Sequence, residues 1–348
     1  MSRRWVQRPD GSNWGDFGAD DRLGRLNLID RNKVLEGAAE IREGLTFALS
    51  LPLDYPGGSG LNPNRLPPVV RPNLRNGEVN FNVEMSQFNP DHSDVLSDDL
   101  VVLHLQYSTQ WDSFAHAGQM FDANGDGVPE AVYYNGYRAG VELVGPDSLD
   151  DAGLATLHER STSDAGPLGI NNFAEKGIQG RGVLIDLEKH FGTDFKVVTG
   201  AELLQVIKAD QVEIRPGDIV CLHTGYAEKV LEMERQPDAD VLHHYGAVLD
   251  GRDPELLAWV TDSGLAALVA DNYAVELYPA SPGEAPCAIL PLHEHCLFKL
   301  GIPLGELWRL GPLASWLRAN DRHGFQLTAA PLNLPRACAS PLTPIATV

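Results

Sequence analysis

Apolar runs in this chain repeatedly stop at polar or ionisable side chains. Gly180-Arg181-Gly182-Val183-Leu184-Ile185 ends in Asp186, and Ile219-Val220-Cys221-Leu222 ends in His223. Leu265–Ala270 runs into Asp271 and then Glu276. The longest example is Leu100-Val101-Val102-Leu103 with the alternating His104-Leu105-Gln106-Tyr107. It leads into Thr109-Gln110-Trp111-Asp112-Ser113-Phe114-Ala115-His116. Short apolar runs bounded by glycine, proline and polar clusters read as strands. On that basis residues 100–107 are expected to form a strand that delivers a polar loop at 109–116. Between the runs lie helical patterns: about 31–43 behind an Asp30 cap, 199–209, 254–263 and 310–320. Strands that alternate with helices define an α/β chain. Open α/β sheets gather ligands at their strand ends.

The 348 residues are 43% hydrophobic, enough for one large core. No repeat, low-complexity tract or linker divides them, so one domain over 1–348 is expected. It has an N-terminal arm over about 1–45 and a strand-rich, proline-punctuated tail over about 325–348. The formal net charge is −21, which excludes nucleic acid and anionic membrane surfaces as partners, since both need a basic face. Cys221, Cys287, Cys296 and Cys338 are scattered without a CxxC pair. That spacing fits neither a disulfide framework nor a zinc ribbon, and a reducing cytoplasm is expected. Arg3 and Arg4 are followed by acids rather than an apolar run, so no signal peptide is read. No apolar run approaches ~18 residues, so no membrane span is expected.

Several chemistries have no support. G-x-G-x-x-G, the P-loop and G-x-S-x-G are absent. Asp122-Ala123-Asn124-Gly125-Asp126-Gly127 begins like a calcium loop, but Tyr133 stands where the bidentate Glu is required, so a tight turn is read. Cys221 reads as a small buried hydrophobe rather than a nucleophile. His243-His244 reads as exposed loop. His293 and His295 are spaced to leave one side of a strand, a geometry in which His-x-His holds metals. Glu306 follows in a Pro/Gly-rich turn. Residues 54–80, rich in Pro, Gly, Asn and Arg, read as an ordered functional loop.

In this order the segments resemble the cyclase family, which includes bacterial arylformamidases (kynurenine formamidases) and isatin hydrolases. The resemblance rests on Trp14-Gly15, Leu26–Ile29, Gln106–His116, Tyr134–Tyr137, Gly180–Asp186, Arg215–Val220, Ala270–Glu276, Leu292-His293 and Gly301–Trp308. It implies a swivelling β/β/α fold, a mixed sheet with surrounding helices, and usually a homodimer or homotetramer. It implies a metal-dependent hydrolase of a cyclic or aryl amide, or a lactone, acting on a small-molecule substrate. Asp112, Gln110, Gln106, His293 and Glu306 fall on metal-ligand positions, with His295 two residues from His293. His116 falls on the position of a general acid and base, with Asp112 and Glu306 as its catalytic companions. Trp111, Tyr134, Tyr137, His223 and Asn272 are expected to line the substrate pocket. This chain departs from the family motif where two imidazoles are replaced by Gln106 and Gln110, a T-Q-W-D subtype. Amide oxygens suit Mn²⁺, Mg²⁺ or Ca²⁺ better than zinc. One divalent ion, Mn²⁺ or Zn²⁺, is the expected cofactor. The alternatives are a metal-free lyase, dehydratase or cyclase using His116 and Glu306, or a non-catalytic small-molecule binding protein.

Overall fold

Nine strands form one mixed sheet in the computed structural model, which describes residues 4–153 and 161–348. In chain order they are β1 (Thr46–Ala48), β2 (Gln110–Asp112), β3 (Gln179–Asp186), β4 (Ile219–His223) and β5 (Ala267–Ala270). β6 (Leu304–Glu306), β7 (Gly324–Thr328), β8 (Ala339–Pro341) and β9 (Ile345–Thr347) complete it. Their spatial order is β1-β9-β7-β3-β4-β5-β6-β2-β8. The β3-β4-β5-β6 pairings are parallel and all others in the sheet antiparallel. This is an α/β fold built on a mixed sheet with surrounding helices.

The parallel strands are apolar along their length because both of their faces are covered. Val183, Ile185, Ile219, Val220, Leu268 and Val269 are all fully buried. One cover is the helix Gly200–Ala209, whose start is closed by a capping box between Thr199 and Glu202. It buries Leu203 and Val206 and packs on the helix Pro254–Asp262. Gly200 permits that approach: a Cβ there would stand 2.2 Å from the Leu256 backbone nitrogen.

Three expectations change. The helix after Asp30 covers Arg31–Ala38, and its cap is the Asp30 carboxylate on the Lys33 N–H. Its buried face carries Lys33 and Gly37, while Leu35 is 59% exposed. Lys33 Nζ lies 2.9 Å from Asp218, which also receives Arg181 at 2.6 Å. An ionic seam fixes this helix, with half-buried Val34 as an apolar contact to the core. Met1–Arg3 of the expected arm lie outside the described residues. Second, Asp99–Val102 is a strand, but it pairs with Val69–Pro72 in an outlying ribbon rather than joining the sheet. The sheet strand is β2, so the polar residues of 110–112 sit on the strand itself. Third, residues 54–80 supply part of that ribbon as well as loop. The tight turn at 122–127 is present: the Asp122 carboxylate accepts from the N–H groups of Gly125, Asp126 and Gly127. Among the described residues no helix is long and apolar enough to cross a membrane.

Candidate active centre

β2 and β6 lie antiparallel, with Gln110 opposite Glu306 and Trp111 opposite Gly305. Side chains alternate along a strand, so Gln110, Asp112 and Glu306 share one face and Trp111 takes the other. Trp111 is fully buried, donates to the Ala329 carbonyl at 2.8 Å and meets Trp308 edge-on at 5.0 Å. A Cβ at Gly305 would press on both indoles, at 2.9 Å from Trp308 and 3.1 Å from Trp111. Trp111 is therefore core, not pocket wall.

His293 reaches the shared face from a helix, not a strand. The turn Pro291–His293 continues into the π-helix Glu294–Leu300. Helical geometry turns His293 and His295 to different sides. His295 Nε2 meets Thr261 Oγ1 at 2.9 Å, and burial lowers its pKa to about 4. His293 Nδ1 lies 2.9 Å from Glu276, and the same carboxylate accepts from the Leu292 and His293 backbone N–H groups at 2.9 Å. Ala274 and Val275 precede it with positive φ, 65° and 60°. That conformation is unfavourable for a β-branched residue, and such strain clusters at functional sites. Gly251 leaves the room, since a Cβ there would fall 2.0 Å from Glu276 Oε2. A carboxylate gripping the far nitrogen of a histidine is the arrangement that orients metal-binding imidazoles.

His293 Nε2 lies 3.3 Å from Glu306 Oε1, and Gln110 Nε2 donates to Glu306 Oε2 at 3.3 Å. The Gln106 amide donates to Asp112 Oδ1 at 2.5 Å and sits 3.0 Å from His116 Nδ1. Because the amide nitrogen is held by a carboxylate, it is also a donor toward His116. Gln106 thus meets the centre through its nitrogen, as a brace for Asp112 and His116, rather than through the carbonyl oxygen expected of a metal ligand.

The electrostatics are unbalanced. Burial would lower the His293 pKa, but its bonds to Glu276 and Glu306 push it up to about 10. Burial would raise Glu306, yet the hydrogen bond and charge of His293 hold it below the usual carboxylate range. Asp112 is raised, by burial first and then by Glu306, against the opposing pull of His116. Three buried carboxylates, Asp112, Glu276 and Glu306, lie with two imidazoles, those of His116 and His293. Two oxygens here, Gln110 Oε1 and Asp112 Oδ2, are buried with no hydrogen-bond partner among the described residues. Buried polar atoms are nearly always satisfied. Ligand atoms of Asp112, His116 and His293 lie within 4.8 Å of one another. Orphaned oxygens, an oriented imidazole and excess negative charge together fit a divalent cation.

A cavity of about 400 Å³ opens onto His116, His293 and Glu306. Its walls include Arg65, Tyr107, His243, Tyr273 and Tyr278, which the sequence did not single out for this role. His243 is exposed, as expected of a loop, and stands at this cavity. The residues expected to line the pocket lie elsewhere. Tyr134 is fully buried, bonds Asp21 at 3.0 Å and packs on Phe114. Tyr137 is buried under the Arg4 guanidinium, 4.0 Å from its ring centre. Asn272 donates to the Ala247 carbonyl at 3.0 Å. His223 belongs to a second cluster with Asp186 and Glu188, also within 4.8 Å of one another. Cys221 is fully buried and burial pushes its thiol pKa up, as befits a core residue.

Fold and centre together define an α/β protein with a buried histidine–carboxylate site at the floor of a cavity of about 400 Å³. The family model described as "Putative cyclase" matches residues 48–277, and the chain belongs to that family. A crystal structure described as a novel cyclase is 28% identical, covering 97% of this chain and 99% of its own, with a TM-score of 0.71. Isatin hydrolase A from Labrenzia aggregata is 14% identical over 90% of this chain and 97% of its own, at a TM-score of 0.53. Isatin hydrolase A from Ralstonia solanacearum is 14% identical over 89% of this chain and 92% of its own, at 0.52. These two show likeness of fold. No curated protein matches the chain significantly.

Proposed function

We propose that this chain is a metal-dependent hydrolase of a cyclic or aryl amide, or a lactone. The observation that carries the proposal is the pair of orphaned buried oxygens, Gln110 Oε1 and Asp112 Oδ2, beside an imidazole already oriented by Glu276. Asp112, Gln110, His293 and Glu306 would hold the ion, and its three oxygen donors to one nitrogen favour Mn²⁺ over Zn²⁺. A divalent ion supplies Lewis acidity to a carbonyl oxygen and makes water a stronger acid. The chain's own residues supply the rest. Glu276 fixes the ring of His293. Gln106 braces Asp112 and the His116 ring. His116 would take up the proton released by the attacking water and give it, as imidazolium, to the leaving nitrogen or oxygen as the C–N or C–O bond breaks. A cavity of about 400 Å³ suits a small-molecule substrate. One domain, a cytoplasmic setting and a homo-oligomer complete the proposal. The exposed Val70, Leu74, Val79 and Val95 of the ribbon region support the last.

One observation favours a metal-free lyase, dehydratase or cyclase. His293 already pairs with Glu276 and Glu306, so charge is partly matched without an ion. The two mechanisms separate on a panel of aryl amides, cyclic imides and lactones. Hydrolysis is expected to fall on the order of a hundredfold or more after EDTA treatment and in Asp112→Ala. Full activity in both preparations contradicts the metal mechanism.

A further inference from the structure

Among the described residues, Arg65 is the one lysine or arginine on the cavity wall. The chain carries 48 acidic against 27 basic residues, and its buried and half-buried arginines mostly find carboxylates, as Arg181 does with Glu40 and Asp218. Arg65 makes no ion pair among the described residues. Its one hydrogen bond runs from Nη1 to the Gln106 carbonyl at 2.7 Å, which leaves the rest of a five-donor fork uncommitted. The side chain is half-buried in the Pro/Asn-rich segment Asn62-Pro63-Asn64-Arg65.

Its position relative to the chemistry is defined. Arg65 bonds the backbone of Gln106, and the Gln106 side chain bonds both Asp112 and His116. One residue therefore separates the guanidinium from the reacting groups, and its charge acts on both Asp112 and Glu306. Tyr107, Tyr273 and Tyr278 line the same cavity and offer flat apolar surface. A planar, permanently charged fork in such a setting matches a carboxylate in two-point geometry.

We infer that Arg65 is an anion-recognising residue and that the substrate is an aromatic or cyclic amide or ester carrying a carboxylate near the bond that breaks. This deepens the hydrolase proposal and rests on it for the word substrate, while the binding claim stands alone. The test is calorimetric titration of the intact protein with benzoate and with benzamide, two ligands of equal shape that differ in charge. Wild type is expected to prefer benzoate by on the order of tenfold. Arg65→Gln is expected to lose that preference, and Arg65→Lys to keep part of it, because it retains charge without the fork. Circular dichroism confirms that each variant is folded. Equal binding of the two ligands by wild type, or an undiminished benzoate preference in Arg65→Gln, overturns the inference. The latter result would place the carboxylate on a bound cation instead. Because no turnover is measured, absence of hydrolysis leaves this result untouched, and a missing benzoate preference leaves the hydrolase proposal untouched.

Discussion

Two histidine–carboxylate clusters sit on the same sheet and differ in one respect. At the end of β3 and β4, Asp186 lies 2.9 Å from His223 Nδ1, and Glu188 lies 3.9 Å from it. Arg318 closes the group, reaching Asp186 at 2.7 Å and Glu188 at 2.9 Å. Both Asp186 oxygens find partners, and the Asp186 N-cap also receives the Lys189 N–H. At the β2–β6 centre no arginine among the described residues bonds Asp112 or Glu306, and Gln110 Oε1 and Asp112 Oδ2 are left over. The residue types are nearly the same. Completeness of hydrogen bonding separates the two, and it is the ground for proposing the β2–β6 centre rather than the closed cluster as the cation site.

The comparison can be broken at either end. The largest effect is expected at the closed cluster. Asp186→Ala strands buried His223 and costs about 3 kcal/mol in urea or thermal unfolding, with little loss of turnover per folded molecule. A stable variant without activity would show that the clusters have been assigned the wrong way round. Next comes Glu276→Gln, which removes the group orienting His293. Metal affinity is expected to drop about 10- to 100-fold in chelator competition. Unchanged affinity would break the link between Glu276 and the centre. The smallest effect is a pH dependence. Burial lowers the His223 pKa, but its bond to Asp186 and the surrounding acids raise it above the ordinary value. Its stabilisation is therefore complete below about pH 6.5 and fades as pH rises through the raised folded value. Asp186 is the reverse: burial raises it, but His223 and Arg318 hold it below the usual range. Its contribution is present above about pH 4 and fades as pH falls through the depressed value. In His223→Gln the decline of stability on the alkaline side should flatten, a change read from unfolding midpoints across pH. An unaltered profile would remove His223 from the account.

Asp112, His116, His293 and Glu306 could be named from the sequence because three separate segments carried them in a recognisable order, and the structure brings the four together. The strand that holds the first of them was misplaced. The run Leu100–Val102 has more β-forming character than Gln110–Asp112, yet the sheet takes the polar segment, because pairing with β6 and β8 outweighs local propensity. Once 110–112 is a strand, its alternation alone would have moved Trp111 off the face of Gln110 and Asp112. Tyr134 and Tyr137 carried no such signal, since burial against Asp21 and Arg4 depends on an arm more than a hundred residues earlier. Glu276 was visible as an acid beyond a strand, but its grip on His293 depends on two left-handed residues that the sequence does not announce. The cavity wall was illegible for the same reason: Arg65 and Tyr273 meet only through the fold.

The most direct measurement is metal content by plasma emission spectroscopy on wild type, Asp112→Ala and Asp186→Ala, each purified and then reconstituted with Mn²⁺ or Zn²⁺ and desalted. About one ion per chain is expected in wild type and in Asp186→Ala, and none in Asp112→Ala. An ion retained by Asp112→Ala but lost from Asp186→Ala, or no ion in wild type under any loading, would contradict the assignment of the β2–β6 centre.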